Sequence, residues 1–100
     1  MAKTVWKFPA PHGLGIPQGV AAKYGMFNLR VPKGAEFLSV GIQNGRVVLW
    51  ARVDPYADTE ERVVLLTGTD NDAPEDGEFI GTYQRDWFVG HVFVGPALNK

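Results

Sequence analysis

The sequence predicts an all-β protein, a small single-domain barrel or sandwich of about six to seven mostly antiparallel strands. Twelve glycines and seven prolines are spread through the 100 residues and interrupt most windows before two helical turns can form. Between them recur short runs rich in Val, Phe, Trp and Tyr, residue types that fit a pleated, half-buried surface. Asn44-Gly45 stands between two alternating runs. Asn-Gly is the strongest short hairpin signal, because a type I′ turn needs φ > 0 at both central positions.

The elements follow in order. "KTVWKF", residues 3–8, is the first strand. "PAPHGLGIPQGVAAKYG", residues 9–25, is so dense in Pro and Gly that it reads as a long loop or insertion, with room in "GVAAKYG" for one or two helical turns at most. "MFNLRV" ends at Pro32, and "PKG" marks a turn. "EFLSVGIQ" and "RVVLWARV" form the Asn44-Gly45 hairpin, and "DPYADTEE", residues 54–61, is a polar loop. "RVVLLTGT", residues 62–69, is apolar on both faces and predicts a central strand. "DNDAPEDG" is an acidic loop; "EFIGTYQ" and "WFVGHVFV" close the domain as a second hairpin, and "GPALNK" is a tail. A turn at Arg85-Asp86 places Gly81 opposite Gly90, Tyr83 opposite Phe88 and Phe79 opposite Val92.

Composition narrows the function. At 45% hydrophobic residues the chain, residues 1–100, is one domain able to bury a real core. A formal net charge of −1 argues against a coat for long nucleic acid or a membrane-surface binder. The absence of cysteine removes disulfides, thiolate metal sites and thiol nucleophiles, and suits a reducing cytoplasm. No apolar run reaches the roughly 20 residues of a membrane span, and "MAKTVWKFPAPHG" has no signal-peptide pattern.

The polar clusters are weighed the same way. Asp70, Asp72, Glu75, Asp76 and Glu78 crowd one loop, but their spacing is not that of a calcium loop, so no metal and no cofactor is expected. His12 and His91 are too far apart in the chain for a zinc motif. His91 with a nearby carboxylate is the one candidate for hydrolysis, and no nucleophile elbow accompanies it.

The hairpin carries more. A two-residue turn pairs 43 with 46, 41 with 48, 39 with 50 and 37 with 52, and paired residues share a face. Leu38, Val40 and Ile42 then meet Val47, Leu49 and Ala51 as a dry face. The opposite face gathers Phe37, Gln43, Arg46, Trp50 and Arg52, with the small Ser39 and Gly41 beside the tryptophan. Arginine forks onto phosphate and tryptophan offers a flat surface for a base. Those residues are the predicted ligand site. The plainer alternative is a tryptophan packed over Gly41 with solvated arginines at its rim.

"VWKF", "VPKGAEFLSVGIQNGRVVLWARVDP", "FIGTYQ" and "HVFV" together resemble a family of short uncharacterised proteins of tailed-phage genomes and prophages. The most specific part is "PKGA…LSV…QNG…LWA.VDP"; residues 9–25 are longer than is usual there. The resemblance supplies no active site. It implies a non-enzymatic phage accessory protein in the cytoplasm of the infected bacterial host. The expected action is to sequester a small nucleotide-type host immune signal, as a homo-oligomer, with no membrane partner. The alternatives are a protein–protein inhibitor of a host defence complex and a small hydrolase using His91.

Overall fold

The computed structural model describes residues 2–18, 21–22 and 24–98. It is all-β, with no helix among those residues and hence none long and apolar enough to cross a membrane. The strands are β1 (Thr4–Pro9), β2 (Pro17–Gln18), β3 (Ala21–Ala22), β4 (Gly25–Pro32), β5 (Glu36–Gln43), β6 (Arg46–Val53), β7 (Thr59–Gly68), β8 (Glu78–Arg85) and β9 (Phe88–Ala97). They form a three-stranded sheet ordered β1-β6-β5 and a four-stranded sheet ordered β4-β7-β9-β8, with β2 and β3 as a short separate ladder. Every pairing is antiparallel. The strands around the 54–61 loop and at the C-terminal end are longer than expected, with β7 starting at Thr59 and β9 running to Ala97. In "GVAAKYG", Ala21–Ala22 pairs with Pro17–Gln18 in place of a helical turn; residues 19, 20 and 23 lie outside the described residues.

The inner faces meet as a sandwich, and β5 of one sheet runs beside β8 of the other. Val47, Leu49, Val64, Leu66, Val92 and Val94 are buried between them, and Val31, Ala35, Ala51 and Val53 fill one end. β7 is central, as its two apolar faces predict, with β4 and β9 on either side. β7 and β8 both run antiparallel to β9, so their connection crosses β9. It does so on the outer face: Thr67 Oγ1 donates to the Asp72 carbonyl at 3.1 Å, and Gly77 sits against Phe93. The acidic side chains of this loop are exposed, as expected of a solvated loop.

The hairpin register holds from Gln43↔Arg46 to Ser39↔Trp50 and then breaks at a bulge. Leu38 is the extra residue, so Phe37 pairs with Ala51 and Glu36 takes the place opposite Arg52. Phe37 is therefore not on the arginine face. It packs into the core, 6.4 Å from Phe8 and with the Arg62 guanidinium 5.6 Å from its ring centre. Leu38, expected inside, is 44% exposed. A bulge re-aims one side chain, and here it buries the larger aromatic surface at the expense of the smaller leucine.

The last hairpin is also shifted. Its turn is Asp86–Trp87, with Arg85 opposite Phe88 and Asp86 at φ 53°, a left-handed conformation that Asp tolerates better than most residues. Tyr83 thus faces Gly90, Gly81 faces Val92, and a second irregularity sets Phe79 against Phe93. Gly81 lets Val40 of β5 approach β8, and the Tyr83 ring lies on the bare Gly90 backbone. Tyr83 is 3% exposed, and its hydroxyl donates to the Gly15 carbonyl at 2.9 Å. Part of the 9–25 segment is accordingly built into the core, where Ala10, Gly15 and Ile16 are buried.

Burial, with Tyr24 close by, raises the Tyr83 phenol well above its ordinary value. The unfolded chain releases that proton near pH 10, to an order of magnitude in proton activity, while the folded chain retains it to higher pH. Above about pH 10 the unfolded state therefore binds fewer protons, and stability falls as pH rises. Tyr83→Phe is expected to flatten this alkaline loss. It also leaves the Gly15 carbonyl without its partner, at about 1–3 kcal/mol near neutral pH. Urea unfolding at neutral and alkaline pH measures both effects.

Candidate functional site

Three strands build the outer face of the three-stranded sheet. Lys7 of β1 lies opposite Trp50 of β6, which lies opposite Ser39 of β5; Pro9, Val48 and Gly41 form the next row, and Arg46 pairs with Gln43 at the turn. Val5 and Glu36 flank Arg52 at the far end. Asn44 at φ 53° and Gly45 at φ 72° make the turn that fixes this alignment. The structure thus brings Gln43, Arg46, Trp50 and Arg52 onto one face and removes Phe37 from it.

Trp50 is half-buried and folds over Gly41: a Cβ placed there would lie 3.1 Å from Cζ3 and 3.4 Å from Cη2. The missing side chain at Gly41 is what gives the indole its seat. Arg52 faces Glu36 at 3.7 Å, and Lys3 meets the same carboxylate at 3.3 Å. Both pairs are exposed and contribute about 0–1 kcal/mol each, so Arg52 is easily drawn away by a ligand. Glu36 is the only acidic residue in β1, β5 and β6.

The turn end of the face is more built. Arg46 Nε–H donates to the Ala10 carbonyl, and the Ala10 N–H donates to the Val47 carbonyl at 2.9 Å. Lys7 Nζ donates to Gln43 Oε1, two strands away. Val48 points outward from this sheet yet is 2% exposed. Lys7 and His12 were not legible as site residues. Lys7 alternates with Trp6 and Phe8 in "TVWKFP", which sets it on the opposite face from those aromatics but does not mark it as a neighbour of Trp50. His12 reaches the face only because the loop after β1 is tied down at Ala10.

His91 lies on the outer face of the other sheet. Its Nδ1 is 2.9 Å from Thr82 Oγ1 and its Nε2 is 3.0 Å from Thr69 Oγ1. The ring's hydrogen bonds go to hydroxyls, so among the described residues its hydrogen-bond partners do not include the carboxylate expected for hydrolysis. Hydrogen bonds at both ring nitrogens fix the orientation of the imidazole. Among the described residues no group of three or more His, Asp or Glu side chains is placed to hold a metal ion.

The model of a family described as a domain of unknown function (DUF7352) matches residues 1–100. No curated protein and no solved structure matches the chain.

Proposed function

The chain belongs to the DUF7352 family, and from the outer face of its three-stranded sheet we propose that it binds a small nucleotide-type anion. The observation that carries this reading is the convergence of Lys7, Arg46, Arg52 and Trp50 on one face whose strands hold a single carboxylate, Glu36. The cations supply phosphate contacts and the indole supplies a stacking surface. Along β6, Arg46 and Trp50 are four residues apart, about 13 Å of strand, so phosphate and base sit at separate places. The action proposed is sequestration without conversion, in the setting of a phage accessory protein that removes a host immune signal from the infected cell's cytoplasm.

Incubation with a panel of cyclic dinucleotides and ADP-ribose isomers tests it. Depletion of one ligand from solution, with the intact molecule recovered after heating, is the expected result. Conversion to a product makes the protein an enzyme and returns attention to His91. No depletion by any member of the panel overturns the reading.

A separate observation favours a second reading, an inhibitor that docks on a host defence complex. Met26, Leu65, Phe93 and Phe79 fall in register across all strands of the four-stranded sheet on its outer face, and Met26 and Phe79 are 68% and 55% exposed. Exposed apolar side chains such as Met26 and Phe79, at the two edges of the row, suit a protein partner.

A further inference from the structure

Lys7 of β1, His12 of the following loop and Arg46 of β6 line one depression of about 190 Å³, with Pro9, Gln43, Asn44 and Val48 completing its wall. Among the described residues, no carboxylate lines it. Lys7 and Arg46 form no ion pair among the described residues; their hydrogen bonds go to a neutral amide oxygen and a main-chain carbonyl. A cluster of cations left without counter-charge, in a chain of net charge −1, is a place where an anion lowers the free energy.

Its geometry is set before any ligand arrives. Ala10 is fully buried, and both of its main-chain polar groups are bonded to β6, one of them to Arg46 Nε. Holding the guanidinium by Nε leaves its two terminal nitrogens as a fork, the arrangement that meets phosphate or carboxylate oxygens two at a time. Lys7 is held toward the same recess from the opposite edge of the sheet by Gln43. A volume of about 190 Å³ is below the roughly 300–1,000 Å³ of pockets that enclose a whole small ligand. The recess suits one anionic group, not a nucleotide.

We infer that this depression is a phosphoryl-binding subsite, in which Arg46 and Lys7 take the oxygens and His12 and Gln43 close the rim. The inference rests on the proposed function only in placing the rest of the ligand over Val48 toward Trp50. The phosphoryl group has two sources, free orthophosphate or a nucleotide, and the test separates them.

The whole chain is titrated with inorganic phosphate, with adenosine monophosphate and with adenosine, at matched ionic strength, while backbone amide and Arg46 Nε–H resonances are followed. Phosphate is expected to shift Arg46, Asn44 and Gly45, the monophosphate to shift these and the Trp50 indole, and adenosine to leave the Arg46 end unmoved. Lys7→Gln, at an exposed position, is expected to weaken phosphate binding roughly tenfold or more with the fold intact. Equal shifts from chloride overturn the inference, as does phosphate binding untouched by Lys7→Gln. Nucleotide shifts confined to Trp50 and Arg52 overturn the subsite and leave the proposed function standing. Phosphate shifts at Arg46, with no member of the nucleotide panel bound, leave the subsite standing and overturn the function.

Discussion

Gly90→Ala is expected to lower the unfolding midpoint by roughly 12 °C or more. Gly90 lies opposite Tyr83 on β8, and a Cβ there would occupy the space of the Tyr83 ring and hydroxyl. The ring has nowhere to go. It packs edge-on against Phe88 with centroids 6.2 Å apart, and its hydroxyl is bonded to Gly15. Overpacking of this kind costs about 1–3 kcal/mol, and displacing the hydroxyl adds about 1–3 kcal/mol for a stranded carbonyl. A sum near 3 kcal/mol or more is a large share of the roughly 5–15 kcal/mol that holds a domain folded. The contrast is Gly25→Ala, where among the described residues the added methyl meets only Leu14 Cδ1 at 3.7 Å. That change is expected to stay within about 0.5 kcal/mol. Thermal unfolding of the two variants side by side decides whether the Tyr83–Gly90 contact or a general intolerance of the sheet is responsible.

The second large effect is on binding. Trp50→Ala is expected to weaken the nucleotide-type ligand by about 1–3 kcal/mol, the usual loss when one base–aromatic stack is removed, or roughly five- to 150-fold. Arg52→Ala adds a further loss with little effect on the fold, because its native partner is the exposed Glu36. Truncating Trp50 uncovers Gly41 and part of Val48. A circular dichroism spectrum and an unfolding curve on each variant therefore separate loss of binding from loss of structure. Trp50→Phe keeps a ring over Gly41 and is expected to recover part of the affinity.

Local chemistry made much of this legible. The Asn44-Gly45 turn and the alternation on each side determine which side chains share a face with Trp50, and a strand apolar on both faces, "RVVLLTG", sits in the middle of its sheet. What local chemistry does not encode is where a strand takes one residue too many. Nothing in "EFLSV" distinguishes a straight strand from one bulged at Leu38. The choice depends on the space between Phe8, Arg62 and Ala51 that the Phe37 ring fills. The Asp86–Trp87 turn is a similar case. It carries neither Gly nor Asn, and its placement follows from seating Tyr83 on Gly90 and Gly81 against Val40. Lys7 and His12 depend on pairing across 36 or more positions of sequence between the first strand and β6, since Ala10 bonds to Arg46 and Val47. Long-range pairing of that sort leaves no periodic trace in either segment.

The two ends of the arginine face differ in kind. At the Arg46 end the arginine is fixed by a main-chain carbonyl and Lys7 by the Gln43 side chain, around a recess. At the Arg52 end the guanidinium is exposed and lightly paired, and the indole lies against Gly41. A ligand that uses both gains orientation from the first and contact area from the second. That division of labour is why an anionic group with an attached planar ring fits this face better than either alone.

The three tryptophans allow a direct test. Trp6 lies on the inner side of β1, opposite Ala51, and Trp87 sits in the β8–β9 turn and is 64% exposed. The indole N–H resonances, assigned by single Trp→Phe variants, are followed while the ligand captured from the nucleotide panel is titrated in. The Trp50 resonance moves with the same dissociation constant as the depletion assay, while those of Trp6 and Trp87 stay in place. A captured ligand that shifts Trp6 or Trp87 and leaves Trp50 unmoved contradicts the assignment of the binding face.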